Sequence, residues 1–294
     1  MSTAGELLNR ASRQLLSGTV EERNKLATTV TAAGTSIVLS YDIGGFRAGS
    51  VMEIESELMY IWEAAAATKT LTVQRGFDGT TAAAHTAGVL ATVAPRFPRQ
   101  QMLDALNNDI DDLSSTVNGL FRVVAQDISY NGTNRQINLT SATNVIDLLD
   151  VRLRFLSTDF PIIRKVRLQR NLPTSDFASG MAIVFDEPVM AGTLRVVTKR
   201  EFTRASSESS DIQTVCFVPL TCEDILEMGV ILRMMNGREI KRNFIESQGD
   251  TRRSDEVPAG ATRDSLTNIQ RLRRERIVAE AARLKQQYPL VFRK

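Results

Sequence analysis

The chain's single histidine, His85, lies in the stretch RGFDGTTAAAHTAG, residues 75–88. Imidazole is the one side chain that titrates near neutral pH without perturbation, so this stretch is the first place to look for general-base chemistry. A hydrolase built on His85 would need a nucleophile to activate and an acid to orient the ring, with Asp78 or a distant carboxylate in that role. Such partners cannot be located by sequence adjacency, and the small side chains around His85 predict a histidine that packs or shapes a turn. Asp78-Gly79 followed by Thr80-Thr81 has the look of a phosphate cradle. No lysine follows in the Walker arrangement, however, and no dinucleotide-type glycine spacing is present. The expectation is a turn whose hydroxyls bond the backbone.

Three other groups of residues invite chemistry. Asp104, Asp109, Asp111 and Asp112 are acidic enough for a metal, but their spacing does not fit a calcium loop, and they sit on an apolar-striped helix where a solvated face is expected. Arg271, Arg273, Arg274 and Arg276 could meet DNA phosphates. Glu275 and Glu280 interleave with them and no aromatic platform accompanies them, so a charged face or a subunit interface is the stronger expectation. Cys216 and Cys222 lack the companions a zinc site requires and are expected to be buried free thiols. No catalytic residue, cofactor site or metal site is therefore expected.

The elements that would position these groups alternate between helical and strand-like. The chain has 294 residues, of which 43% are hydrophobic and 24% charged, an ordinary globular composition. Its 36 basic and 34 acidic side chains leave a net charge of +2, too little to hold a polyanion by charge alone. No apolar run approaches the roughly 20 residues of a membrane crossing, so no membrane partner is expected.

Residues 1–35 are read as an amino-terminal helical segment and 36–96 as a small β module of short strands at regular spacing. Trp62 falls in one of these strands, where core packing is the default. Residues 97–120 carry Met102, Leu103, Leu106, Ile110 and Leu113 at helical spacing and form a core helix. Residues 121–204 read as a β-sandwich insertion in which VRLRF and KVRLQR alternate between apolar and polar. Residues 205–294 hold the carboxyl-terminal helices: one starts at a capping box of Thr221 and Asp224, and another covers 264–287. A polar segment, 237–263, separates them and is expected to order only on assembly. The fold class is thus α+β, with a helical core and two antiparallel β modules.

TLTVQRGFDGTTAAAHTAG resembles a theme shared by structural proteins of tailed bacteriophages. The order of elements from residue 97 onward is similar to that of head-to-tail adaptor proteins of phages with long tails. That resemblance implies a helical ring beneath the portal, decorated by a β insertion and docked through its carboxyl terminus. Its partners would be further copies of itself in a homo-oligomer of twelve, the portal protein, the next neck or tail ring, and packaged DNA contacted non-specifically in the channel. Tyr288, Pro289, Leu290, Val291, Phe292, Arg293 and Lys294 would form the portal-docking tail, and the protein would reside in the virion. The β module near the amino terminus departs from simpler, mainly helical adaptors. The alternative is a baseplate or tail protein that binds host-surface glycans through its β modules.

Overall fold

The computed structural model describes residues 2–16, 21–139, 144–154, 161–236 and 261–289. Among them are helices and antiparallel sheets, so the fold is α+β with antiparallel β modules. The chain divides into two compact units that are not sequential segments. One holds Met1–Asp109, Ala205–Asp211 and Glu223–Arg271, and the other Ile110–Arg204, Ile212–Cys222 and Leu272–Lys294.

The first unit is built on a small barrel. Strands β1 (Arg23–Lys25), β2 (Ser36–Val38), β3 (Val51–Ile54), β4 (Glu57–Ala65), β5 (Thr70–Gln74) and β6 (Leu90–Val93) pair antiparallel in the order β1-β6-β3-β4-β5-β2. A bridge between Leu26 and Leu39, flanked by hydrogen bonds from Ala27 N to Val38 O and from Ser40 N to Lys25 O, joins the two ends of the sheet. Closure of this kind removes the exposed edges that short strands would otherwise present. Leu26, Ile37, Phe46, Met52, Ile54, Met59, Ile61, Leu71 and Val73 fill the interior. The β module therefore begins ahead of residue 36. The strand at Arg23–Lys25 is too short and too polar to register as a periodic run, so the stretch read as wholly helical divides into a helix and the first barrel strand.

Helix α1 (Ala4–Leu15) starts at a capping box in which the Thr3 hydroxyl accepts from Glu6 N and the Glu6 carboxylate accepts from Thr3 N. It packs against α3 (Glu223–Met235), and the Arg10 guanidinium reaches Glu223 at 2.9 Å and Glu227 at 3.2 Å. Thr221 does not act as the expected cap. Its hydroxyl faces Glu280 and Arg283 instead, and a 3-10 turn over Leu220–Cys222 leads into the helix.

The second unit holds a sandwich. Strands β7 (Arg122–Tyr130), β12 (Gly192–Arg200) and β9 (Val145–Arg154) form one sheet, and β10 (Val166–Gln169), β11 (Ala182–Phe185) and β8 (Gln136–Asn138) the other. One cluster, with Val151, Leu153, Leu194 and Val196 from the first sheet and Ile137, Val166, Ile183 and Phe185 from the second, forms the layer between them. The boundary between the units falls within α2 (Arg99–Leu113) and within the last helix, α4 (Ala261–Gln287). Helix α4 starts earlier than the periodicity suggested and buries Ile277, Ala281 and Leu284. Residues 237–260 of the polar segment and Leu290–Lys294 of the docking tail lie outside the described residues.

Candidate functional site

The hairpin between β3 and β4 turns on Glu55 and Ser56, with Glu55 in the left-handed region at φ 55°. Glu57, the first residue of β4, consequently points inward at the end of the barrel, where it is only 1% exposed. A lone carboxylate cannot survive there without partners. Glu57 collects them from the RGFDGTTAAAH stretch. Arg75 donates to both of its oxygens at 2.7 Å, Gly76 N and Ala83 N donate at 3.0 Å, and His85 Nε2 lies 2.8 Å away.

Arg75 in turn places its remaining N–H groups on the carbonyls of Thr31, Gly34 and Ala83. All the donors of its fork are thereby used. Burial pushes the Glu57 carboxyl up, but Arg75, Ala83, His85 and Gly76 together hold it at about 2. Gly76 itself sits at φ +60°, and a Cβ there would lie 2.9 Å from Thr80 O, so only glycine makes this turn without strain.

His85 is buried in the same knot. Its Nδ1 faces Glu55 at 2.7 Å and its Nε2 faces Glu57 at 2.8 Å, so each ring nitrogen meets a carboxylate. Its backbone exchanges hydrogen bonds with Val30, fixing residues 27–34 across the barrel end. Neither of these ring contacts is to a hydroxyl or a thiol. Asp78, the partner a hydrolase would use, instead sits exposed in the turn at φ 53°. Thr80 accepts from Leu58 N and bonds Phe77 O, the hydroxyl-to-backbone pattern expected of a turn.

The remaining sequence candidates do not converge. Asp109 departs from the expected solvated face: it is buried, reaches Arg233 at 3.3 Å, and lies where a Cβ on Gly229 would touch it. Asp111 pairs with Arg204, and Asp112 with Arg273. No group of His, Cys, Asp and Glu among the described residues could hold a metal ion. Arg271 reaches Asn268, and Arg276 reaches Thr221 O and Glu280. Cys216 and Cys222 are buried free thiols. No described helix is long and apolar enough to cross a membrane.

Two features were not expected from the sequence. Glu53 is buried beside an open cleft of the first unit that is also lined by Asn9, Arg13, Arg23, Arg99 and Glu208. Burial raises its carboxyl to about 7 against the opposing Arg99 N–H, 2.5 Å away, and the Arg99 charge, while Glu208 and Glu21 push it further up. The Arg99 guanidinium is itself engaged with Glu208 and Asn9. Glu53 can thus change charge near neutrality within a set of ion pairs, in a cleft also lined by the hydroxyls of Ser56, Thr92 and Ser207.

The second feature is Trp62, which is not in the core. The β4–β5 register slips between Ile61 and Glu63, and the extra residue stands outward, 61% exposed. Buried Met59 and Ile61 alternate with outward Tyr60 and Trp62, so the strand period carries the indole to the outer face, and the bulge shifts the residues that follow it. No protein-family model and no curated protein sequence matches the chain.

Proposed function

We propose that this chain is a non-enzymatic structural protein of a tailed-phage virion, forming a homo-oligomeric ring at the head–tail interface beneath the portal and lining part of the DNA exit path. The observation that carries this reading is apolar surface left uncovered. Val117 (89% exposed), Met190, Phe217, Leu220 and Val278 of the second unit all face solvent. In a ring, neighbouring copies would cover such side chains. The buried polar chemistry supports the same reading. The His85–Glu57–Arg75 knot links buried side chains to one another, as a staple does. The near-balanced net charge of +2 suits a channel through which DNA must slide rather than stick.

The decisive experiment images the full chain mixed with portal rings from the same virion and measures the mass of the free protein over a wide concentration range. The expected result is a closed ring seated on the portal. A chain ending at Gln287, without Tyr288 and the residues that follow, should fold normally and fail to bind portal. A protein that stays monomeric at high concentration and ignores portal rings would refute the reading, and normal portal binding by the truncated chain would refute the docking role of the tail.

A further inference from the structure

The barrel's outer wall carries an aromatic corner. Trp62 and Tyr60 meet edge to face with ring centroids 4.8 Å apart, and Phe77 leans on the other side of Tyr60 at 5.5 Å. The strand register fixes what surrounds them. Tyr60 pairs with Gln74 and Glu63 with Thr72, and Gln74, Glu63 and Thr72 are all exposed, while the intervening Ile61–Val73 pair points into the core. The register therefore places an amide, a carboxylate and a hydroxyl on the exposed sheet around the open indole.

We propose that this corner is a carbohydrate-binding site that takes a neutral hexopyranose ring of a glycan chain. A pyranose has one face of C–H groups, which stacks on an aromatic ring, and a rim of hydroxyls, which needs planar donors and acceptors beside that ring. Trp62 supplies the first requirement; Gln74, Thr72 and Glu63 supply the second. The Glu63 carboxylate accepts from neighbouring sugar hydroxyls and disfavours acidic sugars. Because the rings are nearly perpendicular, at 73°, they form a corner for one sugar unit rather than a flat shelf for a crystalline polysaccharide.

The size of the patch argues against a protein partner. A fully exposed aromatic side chain offers about 150–250 Å², and Tyr60 and Phe77 are already partly covered. The corner thus falls well short of the roughly 800 Å² per partner of a stable protein interface, and its borders are polar. The inference is independent of the ring reading, since a ring subunit and a baseplate component could both carry such a site.

Trp62 is the chain's only tryptophan, so its emission reports this site alone. The full-length protein is titrated with maltotriose, cellotriose and tri-N-acetylchitotriose, and then probed on a broad array of cell-surface glycans. A saturable shift of the emission with at least one neutral glycan is expected. Trp62→Ala should weaken array binding by about tenfold or more with an unchanged melting temperature. Gln74→Ala, which keeps the reporter, should weaken it as well. An array without binding together with an unresponsive emission would overturn the proposal. So would an emission shift that follows protein concentration alone, because a second copy would then be covering the corner.

Discussion

Replacing Glu53 by Gln should stabilise the protein at alkaline pH and leave it nearly unchanged at acid pH. The amide keeps a carbonyl oxygen to accept from Arg99 N, so the hydrogen bond at 2.5 Å survives while the ionisable group is lost. In the native chain, burial raises the Glu53 carboxyl from 4.5 to about 7; the Arg99 N–H and charge oppose this, and Glu208 and Glu21 add to it. Between those two pH values the folded protein holds a proton that the unfolded chain has released. Native stability therefore falls as pH rises through that window, and the loss is complete above about pH 7. The span corresponds to about 3 kcal/mol.

The assay is urea unfolding of both proteins from about pH 4 to about pH 8.5, with equal m-values required before midpoints are compared. The variant should gain on the native protein by up to about 3 kcal/mol across that range, apart from a constant offset due to the amide itself. A difference that stays flat with pH, or that shrinks as pH rises, would refute the argument that burial controls this carboxyl.

Two further substitutions test the packing. Glu57→Gln leaves the Arg75 guanidinium buried without its counter-charge and should cost roughly 3–5 kcal/mol in chemical denaturation. Because the Glu57 carboxyl is held down at about 2, the stability it contributes is complete above pH 4.5 and disappears as pH falls through about 2, so the gap between variant and native protein should close in acid. A gap that persists there would show that the loss comes from shape rather than charge. Gly229→Ala would bring a Cβ to 2.0 Å from Asp109 Oδ2 and should lower stability by roughly 1–3 kcal/mol; an unchanged melting temperature would show that α2 and α3 can separate at no cost.

Much of this architecture is legible in the sequence because the signals are local. Alternation in VRLRF and KVRLQR fixes β9 and β10, and the apolar spacing from Met102 to Leu113 fixes α2. What stays hidden depends on partners distant in sequence. Arg23–Lys25 becomes a strand only because β6 pairs with it. Glu53 looks like any polar residue on an alternating strand until the start of α2 covers it. Asp109 sits among acids that look solvated, and a glycine on another helix makes room to bury it. The bulge at Trp62 leaves no local mark at all, since Tyr60, Ile61 and Trp62 would suit a regular strand equally well.

The histidine stretch ties together segments of the barrel that are distant in sequence. Strands β1 and β2 span only Arg23–Lys25 and Ser36–Val38, so the barrel closes through very few ladder bonds and its register is weakly specified by the sheet alone. The knot supplies the missing specification. One buried carboxylate at the start of β4 gathers Arg75 at the end of β5, the turn after it and the histidine beyond, and Arg75 carries the connection on to the carbonyls of Thr31 and Gly34. A slip of one residue in any of these segments would leave a charge unpaired in the interior, a cost of several kcal/mol that apolar contacts alone would not impose. Arg75, Gly76 and His85 each answer the same carboxylate. Contacts that hold the barrel to one register also hold the β4–β5 pairing that sets Tyr60 and Trp62 beside Gln74 and Thr72.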